Sequence, residues 1–234
     1  MTKILVTGSS GFIGTELVNY LSDKHQIIEF DLSNGKDILN LKRLKEYLQG
    51  CEIVVHLAAH RKPYEDKTFQ EYWETNCQGT LNVAQAAVEC GVKKFIYSSS
   101  TSYFGIEKGI PSPKSLKINS PTMTQYVKVE DIDCGDCDIA YSTSKVIAEQ
   151  ILANFGLTKK MQVIILRLGP TRKKGEYLPF GELKLHLKIE NALQIIDSAI
   201  NTDKELWYES FTVTDENKYV DLSKSKNILD YRPI

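Results

Sequence analysis

The sequence predicts an α/β fold in which helices wind on both faces of a parallel sheet. Over residues 1–170, short apolar runs alternate with longer segments of helical periodicity, as in successive βαβ units. The apolar runs are almost continuous, which is typical of strands covered by helices on both sides. A length of 234 residues suits one large domain. We therefore expect a main domain over residues 1–170 and a short C-terminal region, residues 171–234, packed on the same domain.

Each element has its own local signal. Strands are predicted at 4–7, 26–30, 53–57, 94–98 and 163–168, with a further strand at 210–213. Helices are predicted at 13–22, 42–49, 69–90, 142–154 and 189–201. The segment 106–140 fits neither pattern, because it carries three prolines and an acidic patch. Long loops in compact domains are usually functional or mobile, so we expect this segment to cover a neighbouring site.

Bulk composition excludes several kinds of partner. The 29 basic and 30 acidic residues nearly cancel, so no nucleic-acid partner is predicted. No apolar run approaches the ~20 residues of a membrane span, so no span is predicted. Because a predicted strand begins at residue 4, we also expect no signal peptide. Five cysteines, an odd number, favour reduced thiols and a cytoplasmic location. Cys134 and Cys137 have C-x-x-C spacing; a loop is favoured, redox or metal chemistry is the alternative, and no metal site is predicted.

A glycine-rich turn follows the first strand. It runs directly into a helix and contains Gly8, Gly11, Phe12, Ile13 and Gly14. Glycine permits a tight turn and a close approach of the backbone to a ligand, and the helix N-terminus offers free N–H groups to an anion. A strand, a turn and a helix in this order predict a Rossmann-type dinucleotide site. The alternative is a glycine turn without a ligand.

An acidic residue ends the second strand. The separation of Asp31 from Gly8 is the one at which a carboxylate is placed to bind both ribose hydroxyls of the adenosine. A 2′-phosphate would be repelled there, so NAD is favoured over NADP as the cofactor. Asp37 and Ile38 follow in a short loop and could bracket the adenine. A helix N-cap before Leu41 is the equally open interpretation of Asp37.

A second group of residues points to proton transfer. Tyr141 and Lys145 lie four apart on a predicted helix, so they share one face. A fixed positive charge favours the phenolate form, which can accept a proton from a hydroxyl. Ser100 ends a serine run after the fourth strand, where ligands bind in parallel sheets, although serine also caps turns there. His56 lies in an apolar strand and is interpreted as a hydrogen-bonded core histidine rather than a catalyst.

The combination resembles the extended short-chain dehydrogenases, which form the NAD-dependent epimerase/dehydratase family. The matching features occur in the family's order: T-G-x-x-G-x-x-G at 7–14, Asp31, 37–38, H-L-A-A at 56–59, Asn76 with 79–80, 98–105, and the Tyr141/Lys145 pair. The ending 222–233 is similar to the family's last helix and turn. The resemblance covers nearly the whole chain.

The resemblance implies a role for each matched residue. Tyr141 would act as general acid or base, while Lys145 would bind the nicotinamide ribose and lower the pKa of Tyr141. Ser100 would hydrogen-bond the substrate oxygen, with Thr101 as a second candidate. The cofactor pocket would further include Leu57, Ala58, Ala59 and Asn76.

Size narrows the substrate class that the resemblance implies. The part of the sequence that follows Arg167 is short, so the chain is similar in size to the compact uronate dehydrogenases of the family. We expect hydride transfer at the hydroxyl of a sugar or sugar acid, with Arg172 on the carboxylate, and a possible homodimer. The alternatives are a nucleotide-sugar 4-epimerase and, in another class, a non-catalytic NAD-binding regulatory protein.

Overall fold

A six-stranded parallel sheet lies at the centre of the protein. The computed structural model describes residues 1–61, 67–106, 111, 113–125, 127–133, 136–173, 176 and 183–234, without the side chains of residues 136 and 137. In chain order the strands are β1 (Lys3–Thr7), β2 (Gln26–Phe30), β3 (Ile53–His56), β4 (Lys94–Ser100), β5 (Gln162–Leu168), β6 (Thr171–Arg172), β7 (Leu187–Lys188) and β8 (Tyr208–Val213). The main sheet has the order β2-β1-β3-β4-β5-β8, and β6 pairs with β7.

Helices cover both faces of this sheet. They are α1 (Phe12–Leu21), α2 (Leu41–Leu48), α3 (Phe69–Tyr72), α4 (Gly79–Glu89), α5 (Asp136–Leu157), α6 (Ile189–Asn201) and α7 (Ser223–Leu229). One buried cluster joins α1 and α6 to the sheet, and a second joins α2, α4 and α5 to its other face. The predicted doubly wound α/β fold is thereby confirmed.

The strand order reverses between β1 and β3. β1 pairs with β2 on one side and with β3 on the other, and every pairing in the main sheet is parallel. In such sheets ligands bind beyond the carboxyl ends of the strands, at the point of reversal. The glycine turn after β1 and the chain leaving β3 both lie at this point.

Two helices differ from their predicted form. The helix predicted at 69–90 is interrupted by a π-helical segment, Trp73–Gln78, between α3 and α4. The helix predicted to begin at residue 142 instead begins at residue 136, so the predicted start was wrong. Asp138 in the first turn explains the early start, because a carboxylate there interacts favourably with the helix dipole.

The segment 106–140 is consequently shorter as a loop than predicted. Its described part contains single turns at Met123–Gln125 and Val129–Asp131, and Leu116 forms a bridge with Val220. Cys134 lies outside the described residues, as does the side chain of Cys137. The C-terminal residues 171–234 supply α6 and β8 to the main layers as well as the small β6–β7 sheet. No helix in the described ranges is long and apolar enough to cross a membrane.

A buried lysine closes the end of α6. The Nζ of Lys94 donates to the carbonyl oxygens of Ala199 at 3.1 Å, Ile200 at 2.8 Å and Thr202 at 2.8 Å. Burial lowers the pKa of Lys94, while the carbonyl groups at the helix C-terminus favour its ammonium form. This contact fixes α6 against the start of β4.

We expect Lys94→Met to lower the free energy of unfolding by about 2 kcal/mol, because the helix carbonyls lose a charged donor while they stay buried. Urea unfolding measures the change. Lys93→Met is the matched control: the Lys93 ammonium meets Glu52 at 3.4 Å on the surface, so a loss of less than about 0.5 kcal/mol is expected. Equal losses in the two variants would contradict the assignment.

Candidate active site

One cavity of about 840 Å³ lies over the carboxyl ends of the strands. It contains the glycine turn, the ends of β2 to β5 and the first turns of α5. Of the residues predicted for the site, those that line the cavity are Gly8, Gly11, Phe12, Ile13, Gly14, Asp31, Asp37, Ile38, Leu57, Ala58, Ala59, Ser100, Thr101, Tyr141, Lys145 and Arg172. The fold therefore brings together two groups that lie far apart in the sequence.

The glycine turn is held by backbone contacts. Gly8 has φ 69°, and a Cβ atom on it would lie 2.6 Å from the backbone nitrogen of Ala58. A Cβ atom on Gly14 would lie 2.1 Å from the carbonyl oxygen of Gly8. Gly11 is the N-cap of α1, and no side chain caps this helix. The first N–H groups of α1 therefore remain available to an anion in the cavity.

The Asp31 carboxylate is held at the end of β2. It accepts the backbone N–H of Ser33 at 2.9 Å and that of Ser10 at 3.1 Å. Burial raises its pKa, but the hydrogen bonds from Ser33 and Ser10 outweigh burial and leave the pKa below its usual value. Lys36 also lines the cavity, and its Nζ donates to the carbonyl oxygen of Glu29 at 2.7 Å. A carboxylate with bound N–H donors suits ribose hydroxyls better than a phosphate.

The N-cap residue of α2, the helix that follows the loop after Asp31, differs from the one considered in the sequence analysis. The Asp37 carboxylate accepts the N–H of Leu39 at 2.8 Å, whereas the N-cap of α2 is Asn40, which accepts the N–H of Arg43. The idea that Asp37 caps the helix is therefore wrong, because the helix begins one turn later, after Asn40. Ile38 is buried and faces both the cavity and Gly79.

Tyr141 and Lys145 lie on the cavity-facing side of α5. The Lys145 Nζ donates to the carbonyl oxygen of Ser98 at 3.0 Å and to the Tyr97 hydroxyl at 3.4 Å. It lies 5.7 Å from the centroid of the Tyr141 ring. Burial lowers the pKa of Lys145 to about 8, and the charge of Glu149 opposes this effect. Lys145 thus carries a positive charge beside Tyr141 at neutral pH.

Ser100 has two roles in the structure. Its Oγ accepts the N–H of Ser102 at 3.1 Å and lies 2.8 Å from the Ser102 hydroxyl, so it caps the turn Thr101–Phe104. It also lines the cavity beside Tyr141. The capping role considered in the sequence is therefore present together with a position suited to a substrate oxygen.

Asn76 is buried one layer behind the cavity lining. Its side chain accepts the N–H of His60 at 2.7 Å and donates to the His60 carbonyl at 3.0 Å and the Ser144 hydroxyl at 2.9 Å. It thereby ties the loop after β3 to α5, and the neighbouring Thr75 lines the cavity instead. A direct contact between Asn76 and a cofactor stays a prediction.

Residues that the sequence did not single out also lie at the site. Asp138 is buried and lines the cavity, and its place one turn before Tyr141 on the same helix could have suggested this. Glu149 lies one turn beyond Lys145, and its carboxylate binds Arg167 at 2.7 Å. No group of three or more histidine, cysteine or acidic side chains suited to a metal ion occurs among the residues that the structure describes.

Known proteins resemble this chain in sequence and in fold. A sequence model of the NAD dependent epimerase/dehydratase family matches residues 4–193. The UDP-glucose 4-epimerase of Vibrio cholerae is 30% identical over 86% of this chain and 67% of its own length. The structure of UDP-glucuronic acid 4-epimerase from Bacillus cereus in complex with NAD has a TM-score of 0.78 at 20% identity, with 100% of this chain and 94% of that chain covered. The structure of a mutated uronate dehydrogenase has a TM-score of 0.72 at 16% identity, with 100% of this chain and 82% of that chain covered.

The sheet and its helices define a Rossmann-type protein. The chain belongs to the NAD dependent epimerase/dehydratase family, which confirms the family, the enzyme class and the NAD cofactor predicted from the sequence. The matched region spans 67%, 52% and 50% of three curated UDP-glucose 4-epimerases, so the chain corresponds to between half and two thirds of these relatives.

A buried histidine lies beneath the cavity. His56 is fully buried, with Nδ1 2.6 Å from the Thr7 hydroxyl and Nε2 3.0 Å from the Thr80 hydroxyl. The Thr80 hydroxyl donates to the carbonyl oxygen of Asn76 and the Thr7 hydroxyl accepts the N–H of Ala58. A neutral ring with its proton on Nε2 completes both chains of hydrogen bonds. Burial and the charge of Lys145 lower the pKa of His56 to about 3.

We expect the protein to become less stable as the pH is lowered, because of His56. The pKa of His56 is lower in the folded protein than its ordinary value of 6.5. Below pH 6.5 the unfolded chain therefore binds a proton at His56, whereas the folded chain binds this proton only near pH 3. The free energy of unfolding should therefore drop by about 2 kcal/mol between pH 7.5 and pH 5 from this residue. Urea unfolding at both pH values, on wild type and His56→Gln, isolates the effect. The same pH dependence in both proteins would show that His56 does not cause it.

Proposed function

We propose that this protein is an NAD-dependent oxidoreductase that acts on a hydroxyl of a sugar or sugar acid. The main observation that supports this proposal is that one cavity contains both the uncapped N-terminus of α1 and the Tyr141–Lys145 pair. A protein that only binds the cofactor has no chemical need for a tyrosine beside a buried ammonium group. The proposal therefore prefers an enzyme over a regulatory binding protein.

The cavity residues fit NAD. The N–H groups at the start of α1 would hold the pyrophosphate, and Asp31 would bind the adenosine ribose. Lys145 would donate to the nicotinamide ribose. When bound, NAD supplies a nicotinamide ring that accepts or returns a hydride.

Tyr141 would move the proton. Its phenolate oxygen would take the proton from the substrate hydroxyl during oxidation, and the resulting phenol would return the proton during reduction. The positive charge of Lys145 favours the phenolate that this step needs. Ser100 would orient the substrate oxygen by a hydrogen bond, with Thr101 next to it. A proton acceptor, a charge and an orienting hydroxyl on one wall are sufficient for this half of the reaction.

A cationic residue at one end of the cavity supports a substrate with an acidic group. Arg172 lies in β6, which pairs with β7, and it lines the cavity. A planar guanidinium binds a carboxylate with two parallel hydrogen bonds. We propose a uronate-type sugar acid whose carboxylate meets Arg172.

A nucleotide-sugar 4-epimerase is the second candidate. The observation in its favour is the 30% identity to the Vibrio cholerae UDP-glucose 4-epimerase. Transient oxidation and re-reduction of a sugar hydroxyl would use the same Tyr141 and Lys145. The homodimer and the cytoplasmic location stay predictions.

We expect the protein to bind NAD at least ~10-fold more tightly than NADP, because the Asp31 carboxylate would repel a 2′-phosphate. Titration calorimetry with both oxidised cofactors measures the ratio. Asp31→Ser should reduce the ratio toward one, whereas Asp37→Asn, at a second carboxylate of the same cavity, should leave it unchanged. Equal binding of both cofactors by the wild type would reject the assignment of Asp31.

We expect Tyr141→Phe to lower kcat by ~10²–10⁴-fold with little change in the Kd for NAD, since only the proton acceptor is removed. Steady-state assays with NAD use a panel of uronic acids, neutral aldoses and UDP-sugars. Tyr20→Phe, which removes a surface hydroxyl bound to Asp197, is the control and should stay fully active.

The same panel separates the candidate functions. Turnover of a sugar acid that falls in Arg172→Ala supports the dehydrogenase with its carboxylate clamp. Epimerisation of a UDP-sugar, with the free sugar acids inert, would favour the second candidate instead. NAD binding without turnover of any sugar would reject both enzymes and leave the regulatory protein.

A further inference from the structure

Glu149 forms a buried ion pair next to the proposed site. It is fully buried on α5, one helical turn beyond Lys145 and two beyond Tyr141. Its carboxylate accepts Arg167 Nε at 3.0 Å, Arg167 Nη2 at 2.7 Å and the Ser99 hydroxyl at 2.6 Å. Such a two-pronged contact between charged groups is strong and fixes the orientation of both side chains.

The pair reaches the turn that carries Ser100. The Arg167 guanidinium lies 3.5 Å from the centroid of the Tyr103 ring and 5.1 Å from that of Phe104. Ser99, on the other side of Ser100, donates directly to Glu149. The chain is thus held on both sides of Ser100. This contact fixes the Ser100 turn against the helix that carries Tyr141 and Lys145.

Stability alone does not explain such a pair. Taking two charges out of water is costly, and well-packed apolar side chains in place of a buried ion pair are often equally stable or more stable. The location of this ion pair one helical turn from Lys145 therefore points to an electrostatic effect on Lys145.

The charges of the groups around Lys145 show how Glu149 affects it. They come from four elements: Glu149 and Tyr141 on α5, Tyr97 on β4, His56 on β3, and Cys77 on the π-helical segment. Burial lowers the pKa of His56 to about 3, raises that of Cys77 to about 11 and raises that of Tyr97 well above its ordinary value, so these three groups are neutral at pH 7. Among these neighbours, the carboxylate paired with Arg167 is the negative charge that offsets the burial of Lys145.

We propose that Glu149 is a positioning residue that keeps Lys145 protonated and, with Arg167, holds the Ser100 turn in place. Its effect on catalysis rests on the proposed function. Its effect on the charge of Lys145 does not, because that charge exists without substrate or cofactor.

The direct test is a pH titration of the lysine ¹³Cε resonances by NMR on the whole chain without ligands. The Lys145 signal is assigned as the one missing in Lys145→Met, and its midpoint is expected near pH 8 in the wild type. Glu149→Gln should move the midpoint down by about one pH unit or more, because a nearby negative charge is removed. The Lys94 signal, from the far end of β4, reports whether the variant is folded and should not move.

Two control variants separate charge from structure. Ser99→Ala removes a hydrogen bond to Glu149 but keeps both charges, so the Lys145 midpoint should stay near its wild-type value. Arg167→Lys keeps a positive charge beside Glu149, so the midpoint should again stay near its wild-type value. A fall confined to Glu149→Gln cannot come from general loosening of the fold. An unmoved midpoint in Glu149→Gln would overturn the proposal, and so would an equal fall in Ser99→Ala or Arg167→Lys. The double variant Glu149→Gln with Arg167→Gln leaves no unpaired buried charge. Its midpoint should also fall, and it decides the matter if Glu149→Gln alone does not fold.

The catalytic part is tested with the sugar that the substrate panel identifies. In the pH profile of kcat/KM, the decrease at alkaline pH should move to lower pH in Glu149→Gln, in parallel with the NMR midpoint of Lys145. In Ser99→Ala this decrease should stay at the wild-type pH. An NMR shift without a shift of this decrease would remove Glu149 from catalysis and leave the charge assignment intact. Absence of turnover in the wild type would count against the proposed function alone.

Discussion

The backbone crowding at the carboxyl ends of β1, β2 and β3 is the constraint on which the rest of the site depends. The N–H of Gly8 donates to the carbonyl oxygen of Phe30 at 2.9 Å, and a Cβ atom on Gly8 would lie 2.6 Å from the nitrogen of Ala58. Three chain segments therefore meet with no room for a side chain. This close meeting leaves the start of α1 facing open space, with Asp31 on one side and the loop after β3 on the other.

The polar groups beneath this meeting point act as a scaffold of satisfied hydrogen bonds. His56 links Thr7, which lies just before the glycine turn, to Thr80 on α4. Asn76 links the loop after β3 to Ser144 on α5. These contacts connect the half of the cavity that would hold the cofactor to the helix that carries Tyr141. Because unpaired polar groups are costly in a dry interior, each contact fixes the relative position of the elements it joins.

The sequence was sufficient for those features whose physical cause is local. Apolar runs and glycine positions predicted all six strands of the main sheet, and the spacing of Tyr141 and Lys145 predicted their common face. Features that depend on distant partners were missed. The π-helical segment that aims Asn76 has no local signal, and β6 and β7 are too short for any periodicity to show. The role of Glu149 emerged only when the fold placed Arg167, on the next strand along the chain, within hydrogen-bonding distance.

The C-terminal region is held to the segment that follows β4. The N–H of Leu116 donates to the carbonyl oxygen of Tyr219 at 2.8 Å, and the N–H of Asp221 donates to that of Leu116 at 2.8 Å. The segment after β4 is thereby fastened to the C-terminal region at a buried position. Ile106, at the start of this segment, and Arg172, in the C-terminal region, both line the cavity. Two pieces from different parts of the sequence thus contribute to the same end of the cavity, so its shape there depends on contacts that are distant in the sequence.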